Sequence, residues 1–433
     1  MSNDIEKIYN EAKIEFDQFL IRQENFENIG VTFEDSKFKK VDSSINQTTS
    51  ISAIKDNYFG FAYTTSIDDV GALIQNAKNS MVGKVDGSFG VAEKDKIENL
   101  DTYKKSIENL TAEDMLDKLN KIVVYLKDKT KAQINLEGYI EKINLKVLTS
   151  KGVDYDQKIS TYINYISLIY PGSYSNVSRI FASYDIEDLD KETLDYLLFL
   201  YNQSEKQVRP QSGKMKVLFL PEAFYTFIYR LSSALSGNSL IYKRTPLEGK
   251  IGQKITSNQF TLFHDPHRLD FPYARAFDDE GTRTEKINFI EKGVLKNFYF
   301  NRKAAHKYGV KSTAHGYCQE PTEPASAFVP NFMVEKGDKS IYQLISMMDK
   351  GVIIPSVLGA HSGNIQNGDF SIGLSPGIYV ENGNIIGHVK DSMVAANIYD
   401  CLNKIVAIED KIHFSIMGSF PAILFDDINV VIK

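Results

Sequence analysis

Apolar residues recur at helical spacing at the start of the chain. Ile5, Ile8, Tyr9, Ala12, Phe16, Phe19 and Leu20 share one stripe, which predicts an amphipathic helix over residues 5–20 capped by Asn3 or Asp4. The period then changes. Residues 26–66 read as strands with turns at Gly30, Asn57 and Gly60, and the run from Tyr58 to Thr64 is aromatic and β-favouring. Ser66 to Asp69 reads as a capping box opening a helix that reaches about Met81. A second amphipathic helix is predicted over 111–127, with Met115, Leu116, Leu119, Ile122, Val123 and Leu126 on its apolar face. Alternation returns over 131–184 and predicts an antiparallel sheet with one covered face, followed by a helix from Asp188 to Gln207.

The segment Val208–Gly213 is polar and contains Pro210, and it marks a boundary. We expect an N-terminal α/β domain over 1–207, built from an antiparallel sheet and helices. A C-terminal β-rich domain follows over 208–433, and the whole is of the α+β class. The second half opens with a strand at Met215–Leu220. Pro221 ends it and starts a helix over Glu222–Ser236, because a first helical turn tolerates proline. Two hairpins of similar design are expected, at 288–299 and at 377–387. The second carries Asn382-Gly383, the strongest two-residue hairpin signal.

Composition narrows the function classes. The chain has 433 residues, of which 42% are hydrophobic and 24% charged, enough for a sizeable core. Its net charge of −6 argues against a binder of nucleic-acid backbone, which would show a basic face. The cysteines, Cys318 and Cys401, are too few for a four-cysteine zinc site and fit a reducing compartment. The N-terminus lacks the basic start and apolar core of a signal peptide, and no run of about 18 apolar residues occurs. No membrane span and cytoplasmic residence are therefore expected.

Candidate chemistry is sparse. The histidines are His264, His267, His306, His315, His361, His388 and His413, and of these His264 and His267 are close in sequence. Pro266 between them predicts a loop, so they read first as surface residues of a turn and second as metal ligands. Asp278, Asp279 and Glu280 before Gly281 read as a solvated turn, with acid/base work or cation binding as the rival. The glycine-rich stretch 359–371 carries His361, Ser362, Gly363, Asn364, Asp369 and Ser371. It is either an internally hydrogen-bonded loop or a peptide-groove loop. No H-E-x-x-H, G-x-S-x-G, P-loop or dinucleotide fingerprint occurs.

Several pieces, taken in order, resemble the TldD/PmbA family, also called the modulator of DNA gyrase family. They are Phe219–Phe224, Leu235–Tyr242, Leu247–Gln253, Phe277–Gly281 with Ile290–Lys296, and then Gly363-Asn364, Gly368–Gly373 and Val380–Gly383. The resemblance is strong from about 213 to 433 and looser before, in Gly60 and Thr65-Ser66. It implies the two-domain architecture above. It also implies that TldD-type members bind zinc through His-Glu-x-x-x-His and a distant cysteine, for peptide hydrolysis. Here the histidine positions correspond to Pro221 and Thr226, Glu222 remains, and residues 408–420 hold no cysteine. A zinc-activated water needs about three protein ligands. The sequence therefore resembles the PmbA-type (TldE-type) branch, a metallopeptidase-family member expected to be inactive alone. The resemblance implies no cofactor in this chain, zinc in a TldD-type protease partner, and small or unfolded peptides as substrates. A homodimer, a stand-alone metallohydrolase using His264, His267 and the acids near 278, and a self-associating peptide-binding module are the alternatives.

Overall fold

The computed structural model describes residues 3–66, 69–188 and 190–433, without the side chains of residues 3 and 4. The cap expected at Asn3 or Asp4, and residues 67 and 68 of the expected capping box, lie outside the described residues. Helix α1 (Asn3–Glu15) is shorter than its apolar stripe, because the chain turns extended at Gln18 and carries Phe19 and Leu20 into β1 (Gln18–Glu34). β1 pairs antiparallel along its length with β2 (Lys37–Lys55), and β3 (Tyr58–Thr64) follows after a turn at Asp56-Asn57. Gly30 and Gly60 are not turns. Both lie inside strands, where a side chain would strike Tyr139 in one case and the Ala77 carbonyl in the other. Helix α2 (Val70–Ser80) is capped by Asp69, whose carboxylate accepts the Ala72 N–H at 2.9 Å.

A short strand β4 (Val85–Asp86) precedes α3 (Ala112–Lys127), which begins with the Thr111/Asp114 capping box. Three long strands follow, β5 (Gln133–Thr149), β6 (Asp154–Ile169) and β7 (Asn176–Ser183). They complete an antiparallel sheet of order β4-β3-β2-β1-β5-β6-β7, so β7 is a terminal strand. Asp190 caps α4 (Lys191–Gln203), which starts later than the sequence pattern predicts.

After the polar segment near 208, β8 (Gly213–Phe219) leads into α5 (Pro221–Leu235) with Pro221 in its first turn. β8 lies near the middle of a nine-stranded sheet, parallel to the strand Lys350–Ile354 and antiparallel to Ile423–Ile432. A six-stranded sheet containing Leu262–His264, Ile287–Glu291 and His413–Ser415 stands beside it. Both predicted hairpins form. Their turns are Lys292-Gly293 and Asn382-Gly383, all with positive φ.

Alternation along β8 feeds two cores. Val217 and Phe219 face α5, where Phe227 stacks on Phe224 at 4.9 Å and on Phe425 at 5.3 Å. Leu218 and Leu220 face the other way, among Leu197, Leu200, Ile353 and Ile378 beneath the N-terminal sheet. Fully burying each of these side chains contributes about 1.5–3 kcal/mol. Among the described residues no helix is long and apolar enough to cross a membrane.

Candidate functional site

The first turn of α5 is buried behind Arg179, which lines a cleft. Pro221 presents its carbonyl, which accepts the Ser415 hydroxyl at 2.8 Å. Glu222 is buried, and its carboxylate faces Arg179 from β7, with Nε 2.7 Å from Oε1. The contact is close but not aligned as a hydrogen bond, and among the described residues neither carboxylate oxygen has another partner. Thr226 is fully buried and its hydroxyl also lacks a partner among the described residues. The Arg179 guanidinium lies over the Tyr196 ring, 5.3 Å from its centre, so one face is covered by α4.

The segment 408–420 supplies the other side. Glu409 accepts the Ala422 N–H at 2.8 Å and lies 3.2 Å from His413 Nε2. Burial pushes the Glu222 carboxyl above its ordinary range, and Arg179 pulls it partly back. Burial also acts on Glu409, but the His413 and Ala422 contacts outweigh it and hold that carboxyl below its ordinary range. Burial and the Arg179 charge push His413 down.

Arg179, Tyr196, Lys411 and His413 open onto a cleft of about 1100 Å³. Phe263, Phe271 and Phe414 add aromatic surface, and residues 179–183 of β7 run along one wall. Being terminal in its sheet, β7 turns a backbone edge to this space. The groups at the motif positions do not fit a zinc ion. Proline has no donor side chain, threonine is a poor ligand, and the remaining carboxylate already faces a fixed positive charge.

The 359–371 loop is built around Arg230, which is fully buried on α5. Its guanidinium donates to the carbonyls of Asp369 (2.7 Å), Thr226 (2.9 Å), Ala360 (2.8 Å) and Ser362 (2.6 Å). Asn364 accepts the Asp369 N–H, Asn397 donates to the Asp369 carboxylate, and Gly363 adopts φ 110° against the Asp369–Phe370 backbone. His361, Gly363 and Asn364 are exposed, while Ser362 and Ser371 are half-buried. None of these residues lines the cleft beside Glu222.

Two expectations are corrected. Asp278, Asp279 and Glu280 are not a solvated turn, since all three are buried. Asp279 bridges Arg275 (2.7 Å) and Arg22 of β1 (3.2 Å) and accepts the Cys318 N–H. Asp278 accepts the N–H groups of Glu280, Thr282 and Gly316, and Glu280 accepts that of Arg302. The second correction concerns His264, which is a buried strand residue rather than a surface one. Its Nδ1 lies 3.0 Å from His315 Nε2, and burial pushes both rings down, so both are neutral near pH 7. His267 contacts Thr284 and Glu98 instead. Among the described residues no group of three or more His, Cys, Asp or Glu could hold a metal ion.

Sequence reasoning missed Arg179, Tyr196 and Arg230, whose partners are remote in sequence. Glu409 and His413 left a trace, because they fall in the segment where the family's last ligand is expected.

The C-terminal domain of the PmbA/TldA metallopeptidases matches residues 212–431, and their domain 1 matches residues 21–80. An uncharacterized protein of Methanocaldococcus jannaschii is 29% identical over 383 residues, 86% of this chain and 87% of that one. The metalloprotease PmbA of Escherichia coli O157:H7 is 29% identical over 199 residues, but the match spans 46% of this chain and only 42% of that protein. The crystal structure of TldE from Thermococcus kodakarensis superposes with a TM-score of 0.92 at 23% identity, over 99% of this chain and 100% of that one, and so shares the fold. With one domain of that family matching half of its length and a second matching β1 to α2, this chain belongs to the PmbA/TldD family.

Proposed function

We propose that this chain is a non-catalytic partner subunit of a zinc protease pair, with a TldD-type subunit supplying the metal and the pair cleaving small or unfolded peptides. The observation that carries this reading is the Arg179–Glu222 contact. The glutamate that remains of the motif is neutralised by a guanidinium 2.7 Å away, with proline and threonine at the two flanking positions. A guanidinium supplies positive charge but has no open coordination position, so it cannot activate a water as a bound metal does. Glu222 keeps its counter-charge and loses its role as a base. The names carried by the PmbA-type relatives support a peptidase context.

The cleft itself, at about 1100 Å³, has room for a short peptide. An extended peptide could lie along the free edge of β7 and take up main-chain hydrogen bonds at residues 179–183, with the aromatic wall receiving alternate side chains. In this reading the chain shapes the peptide chamber, and its partner performs the hydrolysis.

The test is purification with and without a co-expressed TldD-type protein, followed by zinc analysis and a peptide-cleavage assay. The pair should hold zinc and cleave. The chain alone should hold no stoichiometric zinc and leave the peptide intact. A chelator-sensitive peptidase activity in the lone chain overturns the proposal.

A further inference from the structure

A second cavity lies away from the cleft, between the N-terminal sheet and the buried Asp278–Glu280 turn. Its volume is about 90 Å³, several times what one water requires. One wall is apolar, made by Phe59, Phe61 and Phe89 with Ile54. The other carries Arg22, Glu280, Asn301 and Arg302. Lys303 and Pro324, both exposed, put its mouth at the surface.

The hydrogen-bonding balance at the polar end is uneven. Asp279 is committed to Arg22, Arg275 and the Cys318 N–H. Glu280 is committed to the Arg302 N–H and to Asn301. Arg302 places its guanidinium on the carbonyls of Phe89, Gly90 and Val91, with no carboxylate paired to it among the described residues. Arg22 is only 4% exposed; its Nη2 donates to the Glu24 carboxylate and its Nε faces Asp279, but its Nη1 has no partner among the described residues. The carboxylates in the wall are thus engaged while a buried guanidinium donor is not, so the missing partner is an acceptor. Buried donors are nearly always paired. A carboxylate oxygen is a strong acceptor for a guanidinium N–H, and Arg302, whose guanidinium rests on neutral carbonyls, leaves a positive charge in the same wall.

We propose that this cavity binds a small carboxylate with an apolar body, one oxygen on the free Nη1 of Arg22, its charge beside Arg302 and its body against the phenylalanine wall. The carboxylate could belong to a free aromatic acid or to the C-terminus of a peptide ending in an apolar residue. The site does not depend on the cleft beside Glu222.

Isothermal titration of the full chain with benzoate, benzyl alcohol and benzylamine tests the charge preference. Benzoate should bind saturably at one site, with the other two at least about tenfold weaker. N-acetyl-Gly-Gly-Phe with a free carboxylate, run against its amide, separates the two sources. Binding of the acid peptide assigns the site to chain ends, and binding of benzoate without the peptide assigns it to free acids. Ala325→Phe fills the cavity without touching the ion pairs and should abolish binding. Lys303→Glu, at the exposed mouth, should weaken it by about tenfold or more and keeps the test open if the first variant folds poorly. The proposal is overturned by no binding, by equal binding of benzoate and benzyl alcohol, by benzoate binding that survives Ala325→Phe in folded protein, or by an unweakened Lys303→Glu variant.

Discussion

Arg179 on the terminal strand of one sheet faces Glu222 at the start of a helix packed on another, and both side chains are almost wholly buried, at 5% and 6% exposure. Neither can be removed alone without stranding its partner. Arg179→Met should destabilise the protein by about 3–5 kcal/mol, because it leaves a buried carboxylate without its counter-charge. The double variant Arg179→Met/Glu222→Leu should recover most of that loss, since replacing both ends of a buried pair by apolar groups is often nearly neutral. Denaturant unfolding of the two singles and the double measures it, and simple additivity would refute a direct coupling.

The buried turn makes a pH prediction with a definite sign. Burial pushes both Asp278 and Glu280 above the ordinary carboxylate range; the Asp279 charge adds to the rise at Asp278, and the Asp278 charge to that at Glu280. A carboxyl with a raised folded value binds its proton more tightly in the folded state. Its contribution is present below the unfolded value and is lost as pH rises toward and past neutrality. Stability should therefore fall from about pH 5 to pH 8, by no more than about 1.4 kcal/mol per pH unit for each such group. Glu280→Gln should flatten that slope. An unchanged difference between wild type and variant across this window would show that Glu280 is ionised throughout.

Asp279 behaves in the opposite way. Burial pushes it up, but Arg22 and Arg275 outweigh that and bring it down to about 2. Its contribution is present above the unfolded value, about 3.9, and is lost as pH falls toward the folded one. Asp279→Asn should cost about 3–5 kcal/mol at neutral pH, and its deficit against wild type should shrink on acidification below pH 4. A deficit that stays constant down to pH 2.5 would contradict the ion-pair account.

Arg230 holds the 359–371 loop through three carbonyls, those of Ala360, Ser362 and Asp369. Arg230→Met should raise amide exchange across 360–371 well before global unfolding, with protection elsewhere in the sheets unchanged. Uniform loss of protection over the whole chain would mean that the arginine serves the core rather than the loop.

Phe227 contacts Phe219, Phe224, Phe370 and Phe425 in one buried cluster. Phe227→Ala should lower stability by about 3–5 kcal/mol, read from the midpoint of a urea melt with unchanged slope. A loss below about 1 kcal/mol would mean that the cluster collapses around the gap.

Much of the fold was legible because local chemistry and global structure agree. Pro221 stops a strand and starts a helix, Asn382-Gly383 makes its hairpin, and Thr111 with Asp114 caps a helix, each by rules confined to a few residues. Errors arose where the deciding partner is remote. Phe19 and Leu20 continue a helical stripe by coincidence, and pairing with β2 and β5 claims them for a strand. Asp278–Glu280 has the composition of a surface turn, and nothing nearby shows that Arg22 and the 89–91 carbonyls will close over it. At the candidate site the absence of histidine from the first turns of α5 was visible in the letters. What fills the place was not, because Arg179 arrives from a different sheet.

The two-sided character of β8 bears on where this chain can be cut. A fragment beginning near residue 208 would turn Leu218, Leu220, Ile353 and Ile378 toward water, and one ending there would leave Leu197 and Leu200 of α4 uncovered. The polar segment at 208–213 is thus a seam in sequence but not in cohesion. Neither half should survive as a well-folded piece, and proteolytic nicking at that seam should yield two fragments that stay together until the protein is denatured.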